Sequence, residues 1–200
     1  MNTLVCVKVG TKYSADYVNK LASMAKRHTT VPYDFYCLTD DPCGVDAKTM
    51  IVKKLPKNWW AKLFIFNVLW QSPRVVYLDL DTVIVDNIDF LFRYDGEFCI
   101  LKDFWMPCYN SSVMAFRAGF GYKLWKEYED SAGLVEASYP GDQDFITAQV
   151  PNADLWPKYL VGSYKANCLN DGPKKFPIVC FHGEPKPHQF TEGWVHESWN

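Results

Sequence analysis

The amino-acid sequence predicts an α/β fold in which a mixed, mostly parallel sheet is flanked by helices. Short apolar runs with strand character alternate along the first half of the chain with segments whose apolar residues recur at helical spacing. One run, residues 74–78, is continuously apolar after Arg74, as is typical of a central parallel strand. The 200 residues, 48% of them hydrophobic and 22% charged, predict a single domain over residues 1–200.

The first half of the chain predicts a β-α-β succession. Gly10 ends the first strand, Ser14 is a candidate cap for the helix that follows, and Asp40-Asp41-Pro42 breaks the second strand. The predicted elements, in order, are a strand at 3–9, a helix at 15–27, strands at 34–39 and 50–55, a helix at 60–70 and the strand at 74–78. Such an order places helices on both faces of a parallel sheet.

The second half is less regular. Proline, glycine and asparagine cluster at 151–177, which predicts mostly loop there. The remaining patterns predict strands at 98–101, 112–116 and 178–181 and helices at 122–131 and 143–149. In a sheet of this kind, ligands are expected at the carboxyl ends of the parallel strands.

Composition excludes several classes of protein. The formal net charge is −2 and there is no block of lysine and arginine, which argues against nucleic-acid binding. No apolar run approaches the ~18 residues of a membrane span, and no signal-peptide pattern opens the chain, so a cytoplasmic protein is expected. The seven cysteines include no C-x-x-C pair and are expected to be reduced thiols.

The most informative segment is an acidic pair after the strand at 74–78. Asp79 and Asp81 are two residues apart, so on a strand they would share a face. Neighbouring carboxylates repel each other unless a proton or a cation lies between them. A divalent ion such as Mg²⁺ or Mn²⁺, bound together with substrate phosphates, satisfies that requirement.

Two other readings of this pair stay open. The carboxylates could simply be solvated at a strand end. The run Asp79-Leu80-Asp81-Thr82-Val83 also fits haloacid-dehalogenase-like phosphatases, in which Asp79 would be the nucleophile and Asp81 the general acid. That motif normally lies on the first strand of its domain, whereas 78 residues precede it here, and we rank the phosphatase second.

In its wider context the pair resembles glycogenin and the other family 8 glycosyltransferases. The resemblance covers the helix segment at 60–64, the strand and following element at 76–92, and later segments at 109–114, 141–144 and 181–187. The chain departs from the family pattern at Ser112, where glycine is usual, and at His188, where tryptophan is usual. The resemblance implies a GT-A-type, nucleotide-diphospho-sugar transferase-like domain.

The resemblance also implies a metal site. Asp79, Asp81 and His182 would ligate a divalent ion that bridges the diphosphate of the donor. An imidazole among oxygen ligands favours Mn²⁺ over Mg²⁺, and the ion would neutralise charge on the departing nucleoside diphosphate.

Further residues take roles by the same resemblance. Asp142, Gln143 and Lys186 are the expected catalytic residues, with Asp142 or Gln143 near the anomeric carbon and Lys186 on the diphosphate. The expected donor-binding residues are Thr11, Tyr13, Lys62, Asp79, Leu80, Asp103, Asn110, Gly183 and Lys186. Either Tyr13 or Tyr17 would stack on the base. The residues expected to hydrogen-bond the sugar are Asp103, Asn110, Asp142 and Gln143.

The predicted function is transfer of a hexose from a nucleotide sugar, expected to be a UDP-sugar, with retention of configuration. The acceptor is open between glycan, lipid and protein. A non-catalytic nucleotide-sugar binder is a third hypothesis beside the phosphatase.

Overall fold

The computed structural model describes residues 1–170, 172–173 and 175–200. A seven-stranded sheet forms its centre, in the order β3-β2-β1-β4-β7-β6-β8. The strands are β1 (Asn2–Lys8), β2 (Tyr33–Thr39), β3 (Lys48–Ile51), β4 (Arg74–Leu78), β6 (Phe98–Lys102), β7 (Tyr109–Arg117) and β8 (Asp154–Leu155). The antiparallel pairings are those of β7 with β4 and β6, so the predicted mixed, mostly parallel α/β sheet is confirmed.

A second, three-stranded sheet packs beside the first. It consists of β5 (Thr82–Ile84), β10 (Ile178–Cys180) and β9 (Val161–Ser163), in that spatial order. The sequence patterns did not predict β5 or β9, although β10, also of three residues, lies within the predicted strand at 178–181. The prediction of mostly loop at 151–177 was therefore incomplete, since β8, β9 and a π-helical turn at Tyr164–Cys168 lie in that stretch.

The helices lie on both faces of the main sheet. They are α1 (Ala15–Arg27), α2 (Asp89–Arg93), α3 (Tyr122–Ser138), α4 (Asp142–Gln149) and α5 (Gly193–Ser198), with 3-10 turns at Asn58–Phe66 and Pro187–Gln189. Strand β4 is buried along its whole length and alternates between the two cores. Val76 and Leu78 face α1 and the small sheet, while Val75 and Tyr77 face the 3-10 helix, α3 and α4.

Several predicted elements differ from the structure in kind or extent. The helix predicted at 122–131, for instance, is α3, which continues to Ser138. The segment expected to be an α-helix at 60–70 is a 3-10 helix at Asn58–Phe66, in which side chains three residues apart eclipse each other. That period aligns buried Trp60, Leu63 and Phe66 on one side. The strand expected at 50–55 is β3, which pairs with β2 only as far as Ile51.

None of the helices in the described part of the chain is both long and apolar enough to cross a membrane. Five of the seven cysteines are buried. Cys6 and Cys37, for instance, lie opposite each other on β1 and β2 and pack in the core as small apolar side chains.

Candidate functional site

A cleft of about 350 Å³ opens at the carboxyl ends of β1 and β4. The chain passes from β1 outward to β2 and β3 and then returns to β4 on the other side of β1, so the cleft lies at the topological switch point of the sheet, where such folds bind ligands. The side chains that line it are largely polar or aromatic and include Lys12, Tyr13, Asn58, Trp59, Lys62, Tyr77, Asp79, Asp81, Ser112, His182 and Lys186.

The acidic pair lines this cleft from a turn. Strand β4 ends at Leu78, the backbone N–H of Asp79 donates to the carbonyl of Ser112 at 2.9 Å, and the N–H of Thr82 donates back to the carbonyl of Asp79 at 3.2 Å. Asp79 and Asp81 follow the end of β4 rather than lying on it, so the expectation that they share a strand face was wrong. The tight turn nevertheless directs both side chains into the cleft.

Asp81 is held by groups from the two ends of the chain. Its Oδ2 atom accepts hydrogen bonds from the Tyr13 hydroxyl at 2.8 Å and from the Lys186 ammonium. Lys186 and Asp81 are both buried, so their charges are poorly screened and attract strongly. Burial and the nearby Asp81 charge raise the pKa of Tyr13 far above its ordinary value, so the phenol remains a hydrogen-bond donor.

Asp79 is held by a different pair. Its Oδ1 atom accepts from the Tyr77 hydroxyl at 2.6 Å and lies 3.0 Å from the Lys62 ammonium. Burial favours the protonated acid, but the Lys62 charge and the Tyr77 hydrogen bond outweigh it and lower the pKa of Asp79. Asp79 is therefore a carboxylate at neutral pH.

Lys62 joins this carboxylate to a third one through a serine. Its ammonium donates to Ser111 Oγ at 2.8 Å, and the Ser111 hydroxyl donates to Asp142 Oδ2 at 2.6 Å. Lys62 also lies 3.6 Å from Asp142 Oδ2. Burial raises the pKa of Asp142 more than Lys62 and Ser111 lower it. Although burial opposes its charge, the charges of Asp142 and Asp79 raise the pKa of Lys62, which stays an ammonium.

His182 lies in the cleft with an unused nitrogen. Its Nε2 atom is buried and makes no hydrogen bond with any described residue. Its ring packs against Phe104 and Trp105, with centroid separations of 5.2 and 5.6 Å. Burial lowers the pKa of His182 below its ordinary value, against the opposing effect of Asp81. A neutral imidazole with a free nitrogen is the form that binds metals.

The chemistry of these side chains fits a divalent ion. Two aspartates and a neutral imidazole with an unpartnered nitrogen line one cleft, and they are the ligand types that Mn²⁺ takes. Within the described part of the chain, however, no three His, Cys, Asp or Glu side chains are gathered closely enough to enclose an ion. The lysines beside Asp79 and Asp81 supply the counter-charges in this structure.

The other predicted site residues divide into two groups. Leu80 and Gly183 line the cleft with the residues above. The predicted residues that are not among the described side chains lining it are Thr11, Asp103, Asn110, Asp142 and Gln143. Thr11 is exposed in the turn after β1.

Asp103 and Asn110 lie together beyond the cleft lining. The Asn110 side-chain amide donates to Asp103 Oδ2 at 3.2 Å, and Asp103 Oδ1 accepts from the backbone N–H groups of Trp105 and Met106. Gln143 donates to Cys108 Sγ at 3.6 Å.

Sequence reasoning missed two side chains that hold the site together. Tyr77 precedes Asp79 by two residues, and this spacing was the available signal that the Tyr77 hydroxyl donates to the Asp79 carboxylate. Ser111 stands beside the predicted Asn110, but a serine in a strand gives no sign that its hydroxyl bridges a lysine and an aspartate.

Comparison with known proteins gives similarity in structure alone. No family model and no curated protein matches the chain. Among solved structures, glycosyltransferase GlyE of Streptococcus pneumoniae TIGR4 superposes with a TM-score of 0.70 at 16% identity, over 99% of this chain and 59% of GlyE. The galactosyltransferase LgtC in complex with donor and acceptor sugar analogues gives 0.66 at 14%, over 92% and 88%.

The bifunctional glycosyltransferase WbbM gives a TM-score of 0.70 at 14% identity, over 92% of this chain and 46% of WbbM. The chain thus spans less than two thirds of the length of GlyE and WbbM. At these identities the comparisons show the fold, which is the GT-A type of these glycosyltransferases.

Proposed function

We propose that this chain is a metal-dependent glycosyltransferase of the family 8 type, which moves a hexose from a UDP-sugar to an acceptor with retention of configuration. One observation carries the proposal. In a fold shared with glycosyltransferases, Asp79, Asp81 and His182 line one cleft at the carboxyl ends of the central strands, and His182 Nε2 has no hydrogen-bond partner among the described residues.

Asp79, Asp81 and His182 would hold the ion, which supplies a positive charge to the departing diphosphate. Lys186 lines the same cleft as a buried cation and gives the diphosphate a second point charge. The Tyr13 ring, beyond the carboxyl end of β1, offers a stacking surface for the base.

Asp142 acts from the other side of Lys62. Because Ser111 and Lys62 engage its Oδ2 atom, the carboxyl group has a fixed orientation behind the cleft. There it stabilises positive charge that develops on the sugar as the glycosidic bond breaks. Gln143 follows Asp142 in the first turn of α4 and is the neighbouring hydrogen-bond donor to the sugar.

The phosphatase is the weaker alternative. In the phosphatases the motif normally lies on the first strand of the domain, whereas Asp79 follows β4 here. Thermal unfolding with UDP, GDP or ADP, each with Mn²⁺ or with chelator, tests the proposal. UDP with Mn²⁺ at ~100 times its dissociation constant should add about 2.7 kcal/mol of stability, and chelator should remove the gain.

Asp81→Asn is the test variant, and Asp86→Asn, on an exposed aspartate five residues further along the chain, is the matched control. Loss of Mn²⁺-dependent UDP stabilisation and of UDP-sugar turnover in the first variant alone supports the proposal. Equal turnover in the two variants refutes it. UDP binding without hydrolysis or transfer to any acceptor would make the protein a nucleotide-sugar binder, and phosphate release from simple esters would favour the phosphatase.

A further inference from the structure

A second groove lies at the end of the sheet opposite the cleft. It has a volume of about 570 Å³ and is formed where β4 begins and β7 ends. Three arginines line it, namely Arg74, Arg93 and Arg117, whereas Asp95 is the one acidic residue among the described lining side chains. The groove shares no lining residue with the cleft.

Arg74 is a buried cation with no carboxylate partner among the residues that the structure describes. It is 5% exposed, its guanidinium lies 4.8 Å from the centre of the Tyr94 ring, and its Nη1 atom donates to the carbonyl of Gly96 at 2.9 Å. It forms no ion pair with any described acidic side chain. Buried arginines are almost always paired, and one hydrogen bond uses only part of the guanidinium's donors.

A second arginine lies beside the first on the neighbouring strand. Arg74 and Arg117 are direct partners in the register of β4 with β7, an arrangement of like charges that destabilises a strand pair. Arg117 is held at the rim, where it donates to the carbonyl of Asp95 at 2.7 Å and lies 3.3 Å from Glu97. Arg93 adds an exposed guanidinium from α2, which lies 3.2 Å from Asp89 Oδ2. An anion between these groups would relieve the repulsion.

The geometry points to a phosphate-binding site in this groove, with Arg74 at its base and Arg93 and Arg117 at its rim. A phosphate group suits the site better than a carboxylate, because three guanidinium groups line one groove and a phosphate presents more acceptor oxygens to them. Burial, together with the Arg117 charge, lowers the pKa of Arg74, and a bound anion would reverse that effect. The phosphate could be free or part of a lipid headgroup.

The probe is inorganic phosphate, compared with chloride at equal ionic strength, in chelator so that metal-dependent binding in the cleft is absent. Phosphate should raise the unfolding temperature of the wild type. The double variant Arg93→Gln/Arg117→Gln should bind at least ~10-fold more weakly, since it loses the charged hydrogen bonds of both rim guanidinium groups. Both side chains are more than half exposed, so the variant should fold.

Lys123→Gln/Lys158→Gln removes the same charge from exposed positions outside the groove and should bind phosphate like the wild type. Co-sedimentation with phosphatidic acid vesicles, against neutral vesicles, tests the lipid source. Vesicle binding that the arginine variant loses also supports the site, even without a response to free phosphate. Equal responses of the two double variants, or no response to phosphate in either form, would overturn the inference.

Discussion

At the scale of single residues, Ser111 tests how tightly the buried charges of the site are coupled. Its hydroxyl accepts from Lys62 and donates to Asp142, so Ser111→Ala leaves both charged groups short of a partner. We expect the free energy of unfolding to fall by about 1–3 kcal/mol. Urea denaturation of the wild type and the variant measures this difference in the free energy of unfolding.

Ser23→Ala is the matched control, because Ser23 Oγ bonds to the partly exposed side chain of Arg27. That change should stay within ~0.5 kcal/mol. If Ser111→Ala behaves like Ser23→Ala, Lys62 and Asp142 are satisfied without the serine.

His182 makes a prediction about pH. Its folded-state pKa is lowered by burial, so the folded state disfavours the protonated ring, while the unfolded chain takes up a proton below pH ~6.5. The contribution of His182 to stability is therefore present above that pH and is lost as the pH falls, by at most ~1.4 kcal/mol per pH unit.

We expect His182→Gln to flatten the fall in unfolding free energy between pH 7 and pH 5, measured by urea denaturation in chelator. His196→Gln, at an exposed position near the end of the chain, should leave the slope unchanged. An identical slope in the wild type and in His182→Gln would contradict a neutral, buried imidazole.

The residues that the sequence identified and those that it missed differ in a physical way. Asp79, Asp81, His182 and Lys186 carry their own chemistry, and they line one cleft although they are far apart in the chain. The role of Ser111 arises from two long-range contacts, and no local pattern encodes such contacts.

At the scale of elements, the 3-10 helix that carries Lys62 is braced by a glycine from another segment. Gly121 has φ +81°, and a Cβ atom there would lie 2.4 Å from the Phe66 ring, whereas Gly119, with φ +86°, has open space. Both Gly→Ala changes incur backbone strain, but Gly121→Ala also displaces Phe66.

We expect Gly121→Ala to destabilise the protein by about 1–3 kcal/mol more than Gly119→Ala, from overpacking alone. The difference in urea midpoints measures this. If the proposed function holds, Gly121→Ala should also weaken UDP binding, because Phe66 and Lys62 lie on one helix. Equal stabilities would mean that the Phe66 ring moves aside freely.

Elements were predictable where the pattern is long. Helix α1 was predicted with its observed bounds because thirteen residues carry a clear apolar stripe, and β4 because four consecutive apolar residues follow Arg74. Strands β5 and β9 have three residues each, and their pairing with β10 depends on chain segments far apart in sequence. The 3-10 helix differs from an α-helix by hydrogen bonds that apolar spacing alone does not distinguish.

At the scale of the whole molecule, the C-terminal segment supports the cleft from behind. The ring centroids of Trp199 and Tyr17 are 4.8 Å apart, and those of Tyr17 and Tyr13 are 4.7 Å apart. The Tyr13 hydroxyl in turn donates a hydrogen bond to Asp81. Helix α1 is held from the same side, because Arg27 donates to the carbonyls of Ser198 and Asn200. Residues at both ends of the chain thus converge on one carboxylate.

Trp199→Ala should therefore be among the most destabilising single changes. Trp199 is 4% exposed, and removing a buried tryptophan costs about 3–5 kcal/mol through lost burial and the cavity that remains. Trp105→Ala, at a ring that is 57% exposed, should cost less than ~1 kcal/mol. Urea denaturation with both m-values near that of the wild type gives the comparison. If Trp199→Ala lowers the unfolding free energy by as little as Trp105→Ala, the C-terminal segment packs on the domain without stabilising it. Tyr13 is then positioned by α1 and β1 alone.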